Sequence, residues 1–144
     1  MSIDEINKLW EVDSNIDITE LGDELIRIPS LHHKYFTILT KERLLYRKFD
    51  AEMKALRLAK QEFFTQGPTK ETHEKGWELP AMGKILKSEV SYYIEADKDI
   101  IELSLKIGMQ LEKISFLEDI IKTLHNRGYN LKTILDWEKF KLGN

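Results

Sequence analysis

The stretch IIELSLKIGMQLEKISFLEDIIKTL, residues 100–124, decides the fold. Ile100, Ile107, Ile114 and Ile121 recur every seven residues, and Leu103, Gln110, Leu117 and Leu124 follow each by three. Heptads of isoleucine and leucine predict a long helix with a coiled-coil seam, from about Asp97 to Asn126. Leu105, Met109, Leu111, Phe116 and Ile120 widen the apolar face, so more than two helices must meet on it. Gln110 interrupts the leucine column and is placed to set register. Arg127-Gly128 reads as a glycine stop, and a short last helix follows over about 131–142, with Ile134, Leu135, Trp137 and Phe140 near one side.

Upstream, a second long helix is expected from an N-cap at Ser30 to about Thr65, ended by Gln66-Gly67-Pro68. Its apolar columns are Leu31, Ile38, Leu45, Glu52, Ala59 and Tyr35, Glu42, Phe49, Leu56, Phe63, with Leu39, Tyr46, Met53 beside the first. A helix near 2–11 and another capped at Asp17 or Thr19 and ending before Pro29 complete the N-terminal part. Residues 67–83 read as a solvated linker rich in Gly and Pro. Helix propensity returns after Gly83; Val90–Ile94 also suits a strand, but no partner strand is evident. The fold class is therefore all-α, with long helices in an elongated bundle. The expected organisation is 1–66, acidic helices and the basic helix; 67–83, linker; 84–144, a C-terminal helical region. An intramolecular bundle would bury the same columns. Their length favours self-assembly through Ile100, Ile107, Ile114, Leu117, Ile121 and Leu124.

Composition narrows the function. With 42% apolar and 33% charged residues, the 144-residue chain is neither collagen-like nor wholly disordered. No apolar run is long enough for a bilayer, and Met1-Ser2-Ile3-Asp4-Glu5 lacks the marks of a signal peptide. The absence of Cys removes disulfides, thiolate zinc sites and cysteine nucleophiles and suits a reducing cytoplasm. There is no P-loop, GxGxxG, GxSxG or HExxH pattern. His32 and His33 are adjacent and point to different sides of a helix. Glu95, Asp97 and Asp99 suit a helix N-terminus better than a carboxylate site. No enzyme, metal or cofactor is expected.

What remains is charge. Residues 1–30 carry eight acids against two bases, whereas residues 31–66 carry eight bases against four acids. Arg43, Arg47, Lys54 and Arg57, spaced by 4, 7 and 3, form one cationic stripe on a helix, flanked by Lys41, Lys48 and Lys60. Such a stripe can follow phosphates, releasing counterions at each contact. Aromatics beside it can stack on unpaired bases. Phe49 and Phe63 fall in an apolar column and read as core; Phe64, one step off, is the better stacking candidate, with Tyr46 a second. The acidic start is either a partner arm or a shield for the basic helix.

Three stretches in order, Lys54–Lys60 with Glu62-Phe63-Phe64, Ala96-Asp97-Lys98-Asp99, and Asn126–Tyr129 with Asp136–Phe140, resemble the UvsY-type recombination mediators of T-even-like bacteriophages over roughly residues 40–144. The resemblance implies a small helical protein, assembled as a hexameric or heptameric ring and without nucleotidase activity. It implies binding to single-stranded DNA and loading of a RecA-like recombinase onto DNA covered by single-stranded-DNA-binding protein, in phage recombination, repair and replication, within the host cell cytoplasm. The family's motif, Leu-Lys-Ala-Arg-Leu before two aromatics, is permuted here: the bases fall at Arg57 and Lys60, and Leu58 stands where the motif's Lys aligns. A one-to-one transfer of the motif reaches only Lys60, with Arg57 supplying the second charge from one residue earlier. The cationic stripe and the resemblance together give Arg43, Arg47, Lys54, Arg57 and Lys60 as the expected DNA contacts, with Phe64 stacking. The rival reading is an oligomeric scaffold or phage assembly protein with no nucleic-acid role.

Overall fold

The computed structural model describes residues 1–143. Five helices follow in order: α1 (Ile3–Asp13), α2 (Leu21–Gln66), α3 (Lys70–Glu74), α4 (Val90–Glu95) and α5 (Lys98–Lys141). No strand occurs among the described residues, so the all-α expectation holds and Val90–Ile94 is helical. The chain contacts group into two compact units, residues 1–44 with 111–144, and residues 45–110. These units part within α2 and α5, not at the 67–83 segment where the sequence suggested a linker.

The first unit joins α1, the first part of α2 and the last part of α5. α1 starts with a reciprocal cap: the Ser2 hydroxyl accepts from Glu5 N–H, and the Glu5 carboxylate accepts from Ser2 N–H, both at 3.1 Å. Its core holds Ile6, Leu31, Tyr35 and Leu39 with Leu117, Ile120, Leu124 and Leu131.

Two helix boundaries differ from the sequence reading. α2 runs straight through Pro29, although proline offers no N–H to the Leu25 carbonyl and such a gap costs about 3 kcal/mol in a helix interior. Buried Leu21 and Glu24 before it and Leu31 and Tyr35 after it lie on one continuous face, and that burial outweighs the gap. α5 likewise continues through Gly128. Leu117, Leu124 and Leu131 are each 0% exposed and seven residues apart, so the apolar seam crosses the glycine without a phase change.

The second unit holds the rest of α2, α3, α4 and the start of α5. Its core is Met53, Phe63, Phe64, Ile85, Val90, Ile94 and Ile100, with Leu56, Trp77, Leu79, Tyr93, Leu103 and Ile107 packed against it. α2 ends at Gly67, whose φ of 98° and N–H bond to the Phe63 carbonyl at 3.0 Å form a left-handed cap. Segment 67–83 is not merely a solvated linker: Thr69 and Thr72 cap α3 reciprocally, and Trp77 and Leu79 join the core. After Gly83 the chain makes turns, and Ile85 N–H bonds to the Phe64 carbonyl at 2.8 Å; helix resumes only at Val90.

The columns expected to join subunits are largely used within the chain. Ile100, Ile114, Leu117 and Leu124 are buried, and Ile107 and Ile121 half-buried, by the chain's own helices. The exposed large apolar residues of α5 are others, among them Ile101, Leu105, Met109, Trp137 and Phe140.

Candidate nucleic-acid interface

In the second unit, α2 presents Arg47, Lys48 and Lys54 to solvent. Among the described residues Arg47 and Lys48 enter no ion pair. Lys54 meets only Asp50, one turn away, at 3.2 Å. Arg57 is half-buried and its Nη1 lies 2.6 Å from the Glu95 carboxylate. In the first unit, Arg43 is exposed and paired with equally exposed Glu118 at 3.3 Å.

Lys60 is placed differently from the expectation of a phosphate contact. It is 3% exposed. Its ammonium lies 3.2 Å from Asp97, 2.8 Å from Asp99 and 3.7 Å from the centroid of the Trp77 ring. Asp97 also caps α5, its Oδ2 accepting from Asp99 N–H at 3.0 Å and Ile100 N–H at 3.2 Å. The charge and the hydrogen-bonding capacity of Lys60 are therefore both engaged inside the unit. Seven-residue spacing explains the burial: Lys60 continues the column Leu39, Tyr46, Met53 and sits where the helix faces the core. Phe64 is core as well, 6% exposed, tilted against Tyr93 and edge-on to Phe63; folded this way it offers no free face to a base. Tyr46 is half-buried. Trp77, which the sequence reading passed over, is the aromatic that meets the basic helix.

A second charged cluster, also unforeseen, lies in the first unit. The Asp13 carboxylate accepts from the Lys34 ammonium at 2.6 Å, the Tyr35 hydroxyl at 2.7 Å and Arg27 at 3.3 Å. Burial pushes the Asp13 pKa upward, but the hydrogen bonds from Lys34 and Tyr35 and the charges of Lys34 and Arg27 outweigh it and hold the group below its ordinary value. Tyr35 is raised well above the usual phenol range by burial, then by its bond to the Asp13 carboxylate. Arg127 donates to the Asp13 and Ser14 carbonyls, each at 3.2 Å, and lies over the Trp10 ring; burial lowers its pKa. This cluster ties α1 to α2 and α5, and its geometry is that of a structural lock.

No group of His, Asp or Glu side chains among the described residues is arranged to hold a metal ion. Among the described residues no helix is long and apolar enough to cross a membrane.

The backbone is similar to crystal structures of the bacteriophage T4 recombination mediator protein UvsY. One, in lattice type II, aligns with TM-score 0.81 and 20% identity over 99% of this chain and 98% of the other. Another, in lattice type IV, gives 0.79 and 18% over 98% and 99%. At such identity the likeness establishes the fold. No curated protein sequence matches the chain. The family described as "Recombination, repair and ssDNA binding protein UvsY" matches residues 9–144; with nearly the whole chain covered, the protein belongs to the UvsY family.

Proposed function

We propose that this protein binds single-stranded DNA and acts, without covalent chemistry, as a recombination mediator that loads a RecA-like recombinase onto DNA covered by single-stranded-DNA-binding protein. The observation that carries the reading is the solvent-facing cationic run Arg47, Lys48 and Lys54 on α2 of a UvsY-family chain. Exposed bases at these intervals suit the phosphates of a flexible strand, and the contacts are independent of sequence. Arg57 adds to them once its carboxylate partner is exchanged for phosphate. The setting is the cytoplasm of the phage-infected host.

Assembly into a homo-oligomer, as a ring of weak repeated sites, belongs to the same proposal, because simultaneous contacts raise avidity. What supports it is the exposed end of α5, where Trp137 and Phe140 stack at 5.5 Å, both largely open to solvent.

The test is fluorescence anisotropy of a labelled single-stranded oligonucleotide across a salt series, with a duplex in parallel. Arg47→Ala/Lys54→Ala should weaken binding and lower the salt slope by about one per phosphate contact removed. No binding by the wild type at low salt would instead leave an oligomeric scaffold.

A further inference from the structure

Arg57, the first base of the permuted motif, is already occupied. Its partner Glu95 is the last residue of α4 and opens a five-residue run in which Glu95, Asp97 and Asp99 are all acidic. The two ends of this run are held very differently. Asp97 and Asp99 are anchored by buried Lys60 beneath Trp77. Glu95 reaches out to Arg57 at a site where both side chains keep contact with water, 66% and 42% exposed. A carboxylate offers a guanidinium the same kind of charged oxygen acceptor as a phosphate does, and an ion pair this exposed is weak enough to be exchanged.

We infer that Glu95 is a built-in competitor for DNA phosphate at Arg57. Lys60 fixes the 95–99 turn, the turn holds a carboxylate on the DNA-binding face, and a strand must displace that carboxylate before Arg57 can grip it. This inference rests on the single-stranded-DNA reading above and supplies a regulation of that site. Ile101, Ser104 and Leu105 line a shallow groove of about 110 Å³ beside the pair, and Ile101 and Leu105 are exposed, so a displaced Glu95 leaves an apolar floor next to a free guanidinium. The consequence is a deliberately moderate affinity. Each strand contact at Arg57 is made against an internal rival that re-forms on release, which suits a protein that must hand its DNA on.

The experiment compares full-length wild type, Glu95→Gln, Arg57→Ala, Arg57→Ala/Glu95→Gln and Glu102→Gln in anisotropy titrations of a labelled oligo-dT. Glu102 is an exposed acid on α5 that enters no ion pair among the described residues, and it controls for loss of negative charge alone. Glu95→Gln should tighten binding about two- to five-fold, the worth of an exposed ion pair. Glu102→Gln should tighten it less, and the double variant should bind like Arg57→Ala. Unchanged or weaker binding by Glu95→Gln, tightening matched by Glu102→Gln, or equal tightening in the Arg57→Ala background would each overturn the competitor role while leaving DNA binding in place. Absence of binding by every variant at low salt would overturn the DNA-binding reading and this inference with it. Thermal melts of Glu95→Gln matching wild type establish that the change is local.

Discussion

The Lys60 ammonium is enclosed between Trp77, whose ring centroid is 3.7 Å away, and the carboxylates of Asp97 and Asp99. A motif cation thus serves as the pin that joins α2 to the start of α5 within the second unit. Lys60→Met keeps the volume but leaves Asp97, largely buried, and its neighbour Asp99 without the cation between them. Removing one partner from a buried pair costs about 3 kcal/mol or more, and that loss should appear as a lower urea midpoint with an unchanged slope. Arg57→Ala, at an exposed pair, should cost no more than about 1 kcal/mol. If Lys60→Met keeps wild-type stability, Lys60 is not the pin described here.

The sequence carried this placement in plain sight. Leu39, Tyr46 and Met53 lead by sevens to Lys60, and Phe64 lies one turn beyond it on the same side. The column was legible; the chemistry of a lysine, normally solvated, spoke against reading it as core. What no local pattern supplied was the pair of acids, 37 and 39 residues further on, that makes burial tolerable. The same holds for Arg127, whose carbonyl partners at Asp13 and Ser14 are over a hundred residues away. Helix type and the apolar columns, set by short-range periodicity, were readable throughout. Helix continues through Pro29 and Gly128 against their local propensity, because the buried seam of α2 and that of α5 each pass the residue in phase. Two of the stretches that resemble the UvsY family, 54–60 and 96–99, prove to touch each other at Lys60.

The Asp13–Tyr35 bond gives stability a pH dependence at both ends. The folded carboxyl titrates below its unfolded value of about 4, so its contribution is present above that pH and is lost as pH falls through the lowered value. Tyr35 titrates above its unfolded value of about 10; its contribution is complete below pH 10 and declines as pH rises from there. Tyr35→Phe should therefore lower stability by about 2 kcal/mol at neutral pH, the worth of a hydrogen bond to a charged group. It should also flatten the alkaline decline, which sets in as the free phenol ionises near pH 10 and continues above it toward the raised folded value. Urea melts at several pH values measure both. A Tyr35→Phe profile parallel to wild type above pH 10 would sink the assignment.

Gly128 lies inside α5, and a Cβ built on it meets nothing within 4 Å beyond its own stretch of helix backbone. The residue therefore has no steric reason to be glycine in this fold, while its backbone freedom is lost on folding. Gly128→Ala should raise stability by about 0.5–1 kcal/mol, read as a higher thermal midpoint. A fall in the midpoint would show that the helix does not run through this position.

Assembly and folding can be separated on α5. Ile114 is buried within the chain and Trp137 and Phe140 are exposed. Ile114→Glu forces a charge among apolar neighbours of its own subunit, so it should unfold the first unit, visible as lost helical signal, whatever the oligomeric state. Trp137→Glu/Phe140→Glu places charges where water already reaches and should leave helicity intact. If the proposed assembly runs through the end of α5, this pair should lower the mass in solution by light scattering. It should also weaken DNA binding by far more than the two residues' own contacts, since avidity disappears with the ring. An unchanged mass would move the interface elsewhere on the chain, with the exposed Ile101, Leu105 and Met109 of the second unit next to be charged.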